Sequence, residues 1–486
     1  VGITDNFFDL GGDSIESIRL VATMQRADFH VSVNDIFTHK TILRLIEETN
    51  HTKTLRIATY TPYSLIDKVT QEQWQTALTE DIYPAGFLQI KMLTESLKKE
   101  AEGTYHDVFA YTVNRPLDEE LLLSTFQKLI LKHPMLRTAF VAHADYGYVC
   151  IQEGHTDMAD HYGGVVNQQV KTFIDTEITN VLPLSRSGLF RVMVLNPTAT
   201  QFVLVFSFHH AITDGWSVAT LMNEFTAAYA NGQTITMETL PPYPRVVQAE
   251  REALASKAHQ NFWQDYLQDA PSATPHLVFN KQALVESPLL EITSLLDEKK
   301  TLAVLTQAKR LGVAPDLVFL AAYLKTLSHL CKERDMIVGL VMNNRLEEAG
   351  GDKIFGLHLN ILPLRMEIKP VYVNNNDALI EALADERLRL GRYKAYPYAK
   401  IRLDLAKSHD VYSCAFNYTH FHVSEHHSHN GILQPLHAFE KMSIPLTLQI
   451  ARHLDKFRLV IRASSHFIDK ETAQYLIDFI EENYNK

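Results

Sequence analysis

Gln201-Phe-Val-Leu-Val-Phe-Ser-Phe-His209-His210-Ala-Ile-Thr-Asp214-Gly215-Trp216-Ser217 is the stretch from which the chain is best read. Phe202, Leu204, Phe206 and Phe208 alternate with Val203, Val205 and Ser207. Successive side chains of a strand point to opposite faces, so this segment predicts a strand buried on both sides. Beyond Gly215 the period changes. Val218, Leu221, Phe225 and Tyr229 fall on one face of a helix, and Asn231-Gly232 stops it.

The same order of signals returns further along. A helix predicted over Leu317–Leu330 precedes a strand over Met336–Met342, which ends at Asn343-Asn344-Arg345. Another strand signal covers Phe355–Arg365. Alternating helix and strand signals predict a mixed α/β architecture. Two halves of similar size, 78–245 and 246–486, predict two subdomains facing each other, with a ligand site in the cleft.

Upstream, residues 1–50 read as a small helical unit. Asp13 and Ser14 open a helix whose apolar face carries Ile15, Ile18 and Ala22. A second helix is predicted after Lys40, with Ile42, Leu45 and Ile46 on its apolar side. A unit this short buries little surface, and a further helix upstream of Val1 is expected. Residues 51–77, with Asn50-His-Thr-Lys-Thr and Thr61-Pro-Tyr-Ser, read as linker.

Composition narrows the function classes. The 486 residues carry 46 basic against 57 acidic side chains, a net charge of −11. No basic surplus is present to neutralise phosphates, so nucleic acid is not expected as a partner. No apolar run is long enough to span a bilayer, so no membrane is expected. Cys150, Cys331 and Cys414 are far apart and odd in number, which fits a reducing, cytoplasmic setting and no zinc spacing.

Three clusters carry potential chemistry. Neighbouring residues of an extended chain face opposite ways, so His209 and His210 cannot do the same job. A histidine at the mouth of a buried strand suits proton transfer. Asp214 needs a cation, and Arg345, Arg365 and Arg137 are its candidate partners. Gly215 lets backbone approach the site. Two satisfied core histidines are an equally good reading of this cluster, whereas a metal site lacks further ligands. In Asp9-Leu-Gly-Gly-Asp-Ser14-Ile, the serine opens a helix, where a phosphodiester is electrostatically welcome. An ordinary serine cap is the commoner reading. Gly12-Asp13-Ser14-Ile15 also fits a GDS-type esterase nucleophile, but no late Asp-x-x-His accompanies it and Ser14 follows no buried strand. His420, His422, His426, His427 and His429 read as a polar loop without ordered ligand spacing.

Taken together, the motifs resemble a carrier–condensation segment of a nonribosomal peptide synthetase. Asp5-Asn-Phe-Phe-Asp-Leu-Gly-Gly-Asp-Ser14 is similar to the phosphopantetheine attachment motif of peptidyl carrier domains. Tyr83-Pro84 through Met92-Leu93, His133-Pro-Met-Leu-Arg137-Thr138, and His209-His210-Ala-Ile-Thr-Asp214-Gly215 follow in family order. The last of these is the HHxxxDG signature. Gly356-Leu-His-Leu-Asn360-Ile-Leu-Pro-Leu-Arg365 is similar to GxFxNTLPLR, and Phe416-Asn417-Tyr418 also fits. Gly86 and His358 depart from the usual serine and phenylalanine.

The resemblance implies two chloramphenicol-acetyltransferase-like α/β subdomains in a V around a central tunnel. A small all-α carrier domain lacking its first helix precedes them. It implies 4′-phosphopantetheine on Ser14, attached by a phosphopantetheinyl transferase. It also implies an upstream adenylation domain and a downstream aminoacyl carrier as partners. The reaction implied is amide formation, with His210 catalytic, the Gly215 backbone near the developing oxyanion, and His209 structural. Asp214 is expected to pair with Arg345, with Arg365 as runner-up. Arg137, Trp216, Asn360 and Asn417 are the tunnel or substrate candidates. An epimerisation domain, or a dual epimerising and condensing one, is the alternative, since the Gly11-Gly12-Asp13-Ser14 loop resembles carriers found before such domains.

Overall fold

The computed structural model describes residues 1–49, 59–98, 103–271, 289–405, 410–419, 431–453 and 455–483. The N-terminal unit holds helices α1 (Ser14–Arg26), α2 (Val33–His39) and α3 (Ile42–Glu48). Each start is capped by a short polar side chain, Asp13, Ser32 and Thr41 in turn. Ile18, Val21, Val31, Val33, Ile36 and Leu45 form their common core. Helix α2 escaped the sequence reading because seven residues bury only Val33 and Ile36, too few for a periodic stripe. The apolar side expected for α3 is corrected: only Leu45 is buried, while Ile42 and Ile46 are 45% and 48% exposed.

The stretch read as linker contains a short helix, α4 (Lys68–Trp74). Ahead of it, the Tyr60 hydroxyl and the Tyr63 amide donate to Asp81 at 2.7 and 2.8 Å and tie this stretch to the first strand.

The first half then runs β1 (Thr79–Pro84), α5 (Phe87–Lys98), β2 (His106–Val113), α6 (Glu119–Lys132), β3 (Thr138–His143) and β4 (Gly147–Glu153). It continues with β5 (Tyr162–Val166), α7 (Val170–Glu177), β6 (Phe190–Leu195), β7 (Phe202–His209) and α8 (Gly215–Asn231). The second half opens with α9 (Pro244–Ala255), α10 (Lys257–Leu267), β8 (Leu289–Leu295), α11 (Glu298–Leu311), α12 (Asp316–Cys331), β9 (Asp335–Asn343) and β10 (Leu359–Glu367). It closes with α13 (Pro370–Val373), α14 (Asn376–Gly391), α15 (Tyr398–Asp404), β11 (Cys414–Thr419), β12 (Leu433–Phe439), β13 (Leu446–His453), β14 (Lys456–Ser464) and α16 (Lys470–Asn483).

Among the described residues three sheets result, with strand orders β1-β4-β3, β12-β2-β7-β6-β5 and β10-β9-β11-β13-β14-β8. Strand β7 lies inside the second of these, paired antiparallel with β2 and β6, which is why both its faces are apolar. Val218, Leu221, Phe225 and Tyr229 of α8 pack in the same core. A separate core fills the second half around α12, whose residues Leu317 through Leu324 are fully buried. No single helix among the described residues is long and apolar enough to cross a membrane.

Strand pairing and core packing both join the halves. Strand β12, late in the chain, pairs antiparallel with β2 of the first half. Ile354, Phe355 and Leu357 also pack into the first core. The strand expected from Phe355 therefore begins only at Leu359. Before that, the backbone is drawn to the first half: the Gly356 and His358 amides donate to Ser217 and Asp214.

Phe206 is fully buried in the middle of β7. Phe206→Ala is expected to cost about 3–5 kcal/mol. The shift of the urea midpoint at unchanged slope measures it.

Candidate active site

Strand β7 delivers the two histidines to different places. His209 is 4% exposed. Its Nδ1 accepts the Ala211 amide at 3.1 Å, so its proton sits on Nε2, which meets the Ser96 hydroxyl at 2.9 Å. Burial pushes its pKa down to about 3, so the ring stays neutral at physiological pH. Both ring nitrogens are thus spent on structure.

His210 sits one residue on, in a single turn of 3₁₀ helix. Its amide donates to the Tyr105 carbonyl at 2.8 Å. Its ring Nδ1 lies 2.7 Å from Oδ2 of Asp107, and its side chain is 15% exposed against 4% for Asp107. Burial works against a charged ring here. The Asp107 carboxylate outweighs it, by charge and by hydrogen bond, and raises the imidazole above the ordinary histidine value.

Asp214 caps α8 by accepting the Ser217 amide at 2.8 Å. Arg345 Nη2 donates to both its carboxylate oxygens, at 2.8 and 3.1 Å, and the His358 amide donates at 3.1 Å. Arg345 is itself 2% exposed, and its Nη1 donates to the Ile354 carbonyl at 2.7 Å. Burial alone would push the Asp214 carboxyl up; Arg345 and the Ser217 hydrogen bonds hold it below the usual carboxylate value. Gly215 is the first residue of α8.

The other candidate cations lie elsewhere. Arg365 pairs with Asp335 at 2.6 Å, and Arg137 pairs with Glu80 at 2.5 Å and donates to the Glu153 carbonyl. Arg137 thus sits at the end of the β1–β4 pair. Two more tunnel candidates also make hydrogen bonds within the fold. Trp216 is 4% exposed with its indole N–H on the Asp352 carbonyl at 3.0 Å. Asn360 donates to the Lys394 and Tyr396 carbonyls at 2.8 and 2.9 Å. Asn417 is half-buried on β11. His358 is fully buried, with Nε2 on the Ile354 carbonyl at 3.0 Å. The five histidines between 420 and 429 lie outside the described residues. Among the described residues no cluster of His, Cys, Asp or Glu is placed to hold a metal ion.

Sequence reading missed Asp107, although an acid at the mouth of an apolar strand was a legible signal. It also missed Glu440, which follows β12 and bears on both His210 and Asp107 electrostatically. Arg462, on β14, donates to Glu440 at 2.9 Å. No sequence pattern announces that Glu440 bears on Asp107 and His210.

The N-terminal unit docks beside this site. Arg19 of α1 donates to the Asp352 carboxylate at 2.9 Å and its guanidinium lies 5.1 Å from the Trp216 ring centre. Gln25 donates to the Glu347 carbonyl, and the Val33 amide to the Glu347 carboxylate, both at 2.9 Å. Asn34 donates to the Leu388 carbonyl at 3.1 Å. Ser14 begins α1, five residues before Arg19. The loop before it is built for close turns: Gly11 has φ +89°, and a Cβ on Gly12 would lie 2.4 Å from the Phe7 ring. Gly11 is exposed, and the serine is the first residue of α1. That placement fits a phosphodiester-linked prosthetic group held by Ser14.

With this geometry, residues 79–485 match the condensation domain family model. The chain belongs to the condensation-domain family. Residues 1–48 match the phosphopantetheine attachment site, which carries the cofactor on a serine. The chain is 28% identical over 450 residues to AMB antimetabolite synthetase AmbE of Pseudomonas aeruginosa, covering 87% of this chain and 20% of that one. It is 25% identical to surfactin synthase subunit 1 of Bacillus subtilis, covering 84% of this chain and 11% of that one. The chain thus spans a fifth or less of these relatives. In fold it is similar to the condensation domain from the monacolin K polyketide synthase MokA, at a TM-score of 0.71, 16% identity and coverage of 84% and 98%. The first condensation domain of the CDA synthetase is similar at a TM-score of 0.69, 14% identity and coverage of 84% and 97%. These matches do not favour the epimerisation alternative.

Asp214→Asn leaves Arg345 buried without a counter-charge and is expected to cost about 3–5 kcal/mol at pH 7. The native carboxyl is held below its unfolded value. Its contribution is therefore complete above the unfolded pKa of about 3.9 and is lost as pH falls through the lower folded value. Urea titrations of both proteins from pH 7 to pH 3 are expected to show the gap narrowing only at the acid end.

Proposed function

We propose that this chain forms an amide bond, passing an acyl group held on Ser14 to the amine of an aminoacyl group brought by a separate carrier. The observation that carries this reading is the docked N-terminal unit. Helix α1, which Ser14 begins, is pinned by Arg19 to Trp216 and Asp352, and Trp216 follows the Asp214-Gly215 turn directly. Arg19, five residues after Ser14, and Trp216, which follows the histidine turn, thus meet at Asp352.

When attached, 4′-phosphopantetheine supplies the thiol that holds the donor acyl group as a thioester. His210 Nε2 takes a proton from the amine as nitrogen bonds to the acyl carbon, and gives it to the departing sulfur. A free α-amine has a pKa of about 7.7–8.0, so the demand on the base is mild. Holding both reactants in line can supply about 7–11 kcal/mol, against a factor of about 10²–10⁴ from a general base. The Gly215 backbone is the group proposed to favour negative charge developing on the carbonyl oxygen. The arrangement proposed for the substrates is a passage between the two halves that reaches His210 from both sides.

The implied partners are an upstream adenylation domain, a downstream aminoacyl carrier and a phosphopantetheinyl transferase. The net charge of −11 speaks against nucleic acid. The three cysteines are free thiols, which supports a cytoplasmic setting.

Ser14→Ala is expected to abolish the mass increment on incubation with a phosphopantetheinyl transferase. His210→Ala is expected to load normally yet form product about 10²–10⁴-fold more slowly in a single-turnover assay. An undiminished rate would contradict the role of His210. Arg19→Glu reverses the charge facing Asp352 and is expected to slow transfer from the linked carrier about tenfold, equivalent to about 1.4 kcal/mol, with loading unchanged.

A further inference from the structure

Asp107 is a costly residue where it stands. Strand β2 buries Val108, Ala110 and Val113, at most 1% exposed, and the imidazole of His106 on Ser207, yet its second residue is a carboxylate with a side chain 4% exposed. An unpaired acid there would be strongly penalised. Among the described residues, its hydrogen-bond partner is the His210 ring, at 2.7 Å.

The 2.7 Å pairing bears on which ring nitrogen holds the proton. An ionised carboxylate only accepts, so Nδ1 donates, and Nε2 of the neutral ring is left with its lone pair. The same short segment holds His210 a second time, through the Tyr105 carbonyl on its amide at 2.8 Å. Tyr105 has φ +62°, a left-handed conformation costly for a bulky side chain. It is kept there by its amide on the Lys441 carbonyl at 2.8 Å and its hydroxyl against Ser443 at 2.8 Å. Both anchors lie on the segment leading from β12 into the second half. The Tyr105–Asp107 segment therefore fixes the histidine's backbone and its ring, and is itself fixed from the other half of the molecule.

We propose that Asp107 is a positioning residue for the reaction, holding His210 with its proton on Nδ1 and presenting Nε2 as the proton acceptor. This rests on His210 being the group that meets the amine. As the ring takes the amine proton, Asp107 offsets the charge that appears on it. The other titratable groups facing the ring are Glu440 from the segment after β12, Asp214 from the cap of α8, and the neighbouring His209. Glu440 is already held by Arg462. Asp214 is held by Arg345, and His209 by Ser96 and Ala211. Asp107 alone of these is bonded to the His210 ring.

The test begins with the unmodified chain, labelled with ¹⁵N in its histidine rings. The His210 signals are identified as those absent from His210→Ala. They are expected to show the Nδ1–H tautomer at high pH; an Nε2–H tautomer would overturn the proposal. In Asp107→Asn the ring is expected to titrate at lower pH than in the parent. The acid limb of the single-turnover rate profile should move down with it, and the rate on the plateau should fall by on the order of 10–10²-fold. Asp107→Glu, which keeps the charge, is expected to restore part of both. If Asp107→Asn leaves the ring titration and the acid limb where they were, the proposal is wrong. The ring titration needs no substrate, so it separates failure of this inference from failure of the proposed reaction, which His210→Ala tests.

Discussion

The buried pair between Asp214 and Arg345 is the constraint on which the rest of the site hangs. Arg345 follows β9 in the second half, and Asp214 caps α8 in the first. Neither charge tolerates burial alone, so each half is obliged to meet the other at this point. The pair also organises its surroundings. Arg345 reaches the carbonyls of Asp352 and Ile354, and Trp216 reaches the same Asp352 carbonyl. The Asp352 carboxylate then receives Arg19 from the N-terminal unit. One ion pair thereby links the histidine turn, the second half and the docked carrier unit.

A second stitch runs on the other side of His210. Strand β12 joins the first sheet beside β2, and the residues just after it hold Tyr105. His210 is thus gripped between a cap fixed by Arg345 and a segment fixed from β12. Positioning of this kind, rather than a strongly perturbed base, suits a reaction whose nucleophile is an amine of near-neutral pKa. The two adjacent histidines differ in exposure and partners: His209 turns inward and stays neutral, and the less buried His210 pairs with Asp107 through Nδ1.

Much of this was legible in the sequence because local periodicity reports burial directly. The β7–turn–α8 unit reads from Phe202 to Tyr229 with no other information, since a doubly buried strand and an amphipathic helix have distinct spacings. The family motifs added the order of the parts. Long-range pairing was the part that stayed hidden. Arg137 and Arg345 look alike in sequence, each an arginine near strands, yet one meets Glu80 and the other Asp214. Asp107 lies 103 positions before His210, and only the β2–β7 register brings the acid to the ring. The Phe355 segment was read as strand because its apolar residues alternate, but they serve the other half's core.

The central claim is that the acyl group reaches His210 from the serine of the same chain. Mixing the Ser14→Ala and His210→Ala chains tests it most directly, because each supplies what the other lacks. With product followed as total protein is varied, delivery within one chain predicts a mixture far slower than the parent, its turnover rising with concentration. A mixture that matches the parent's rate at every concentration would contradict it.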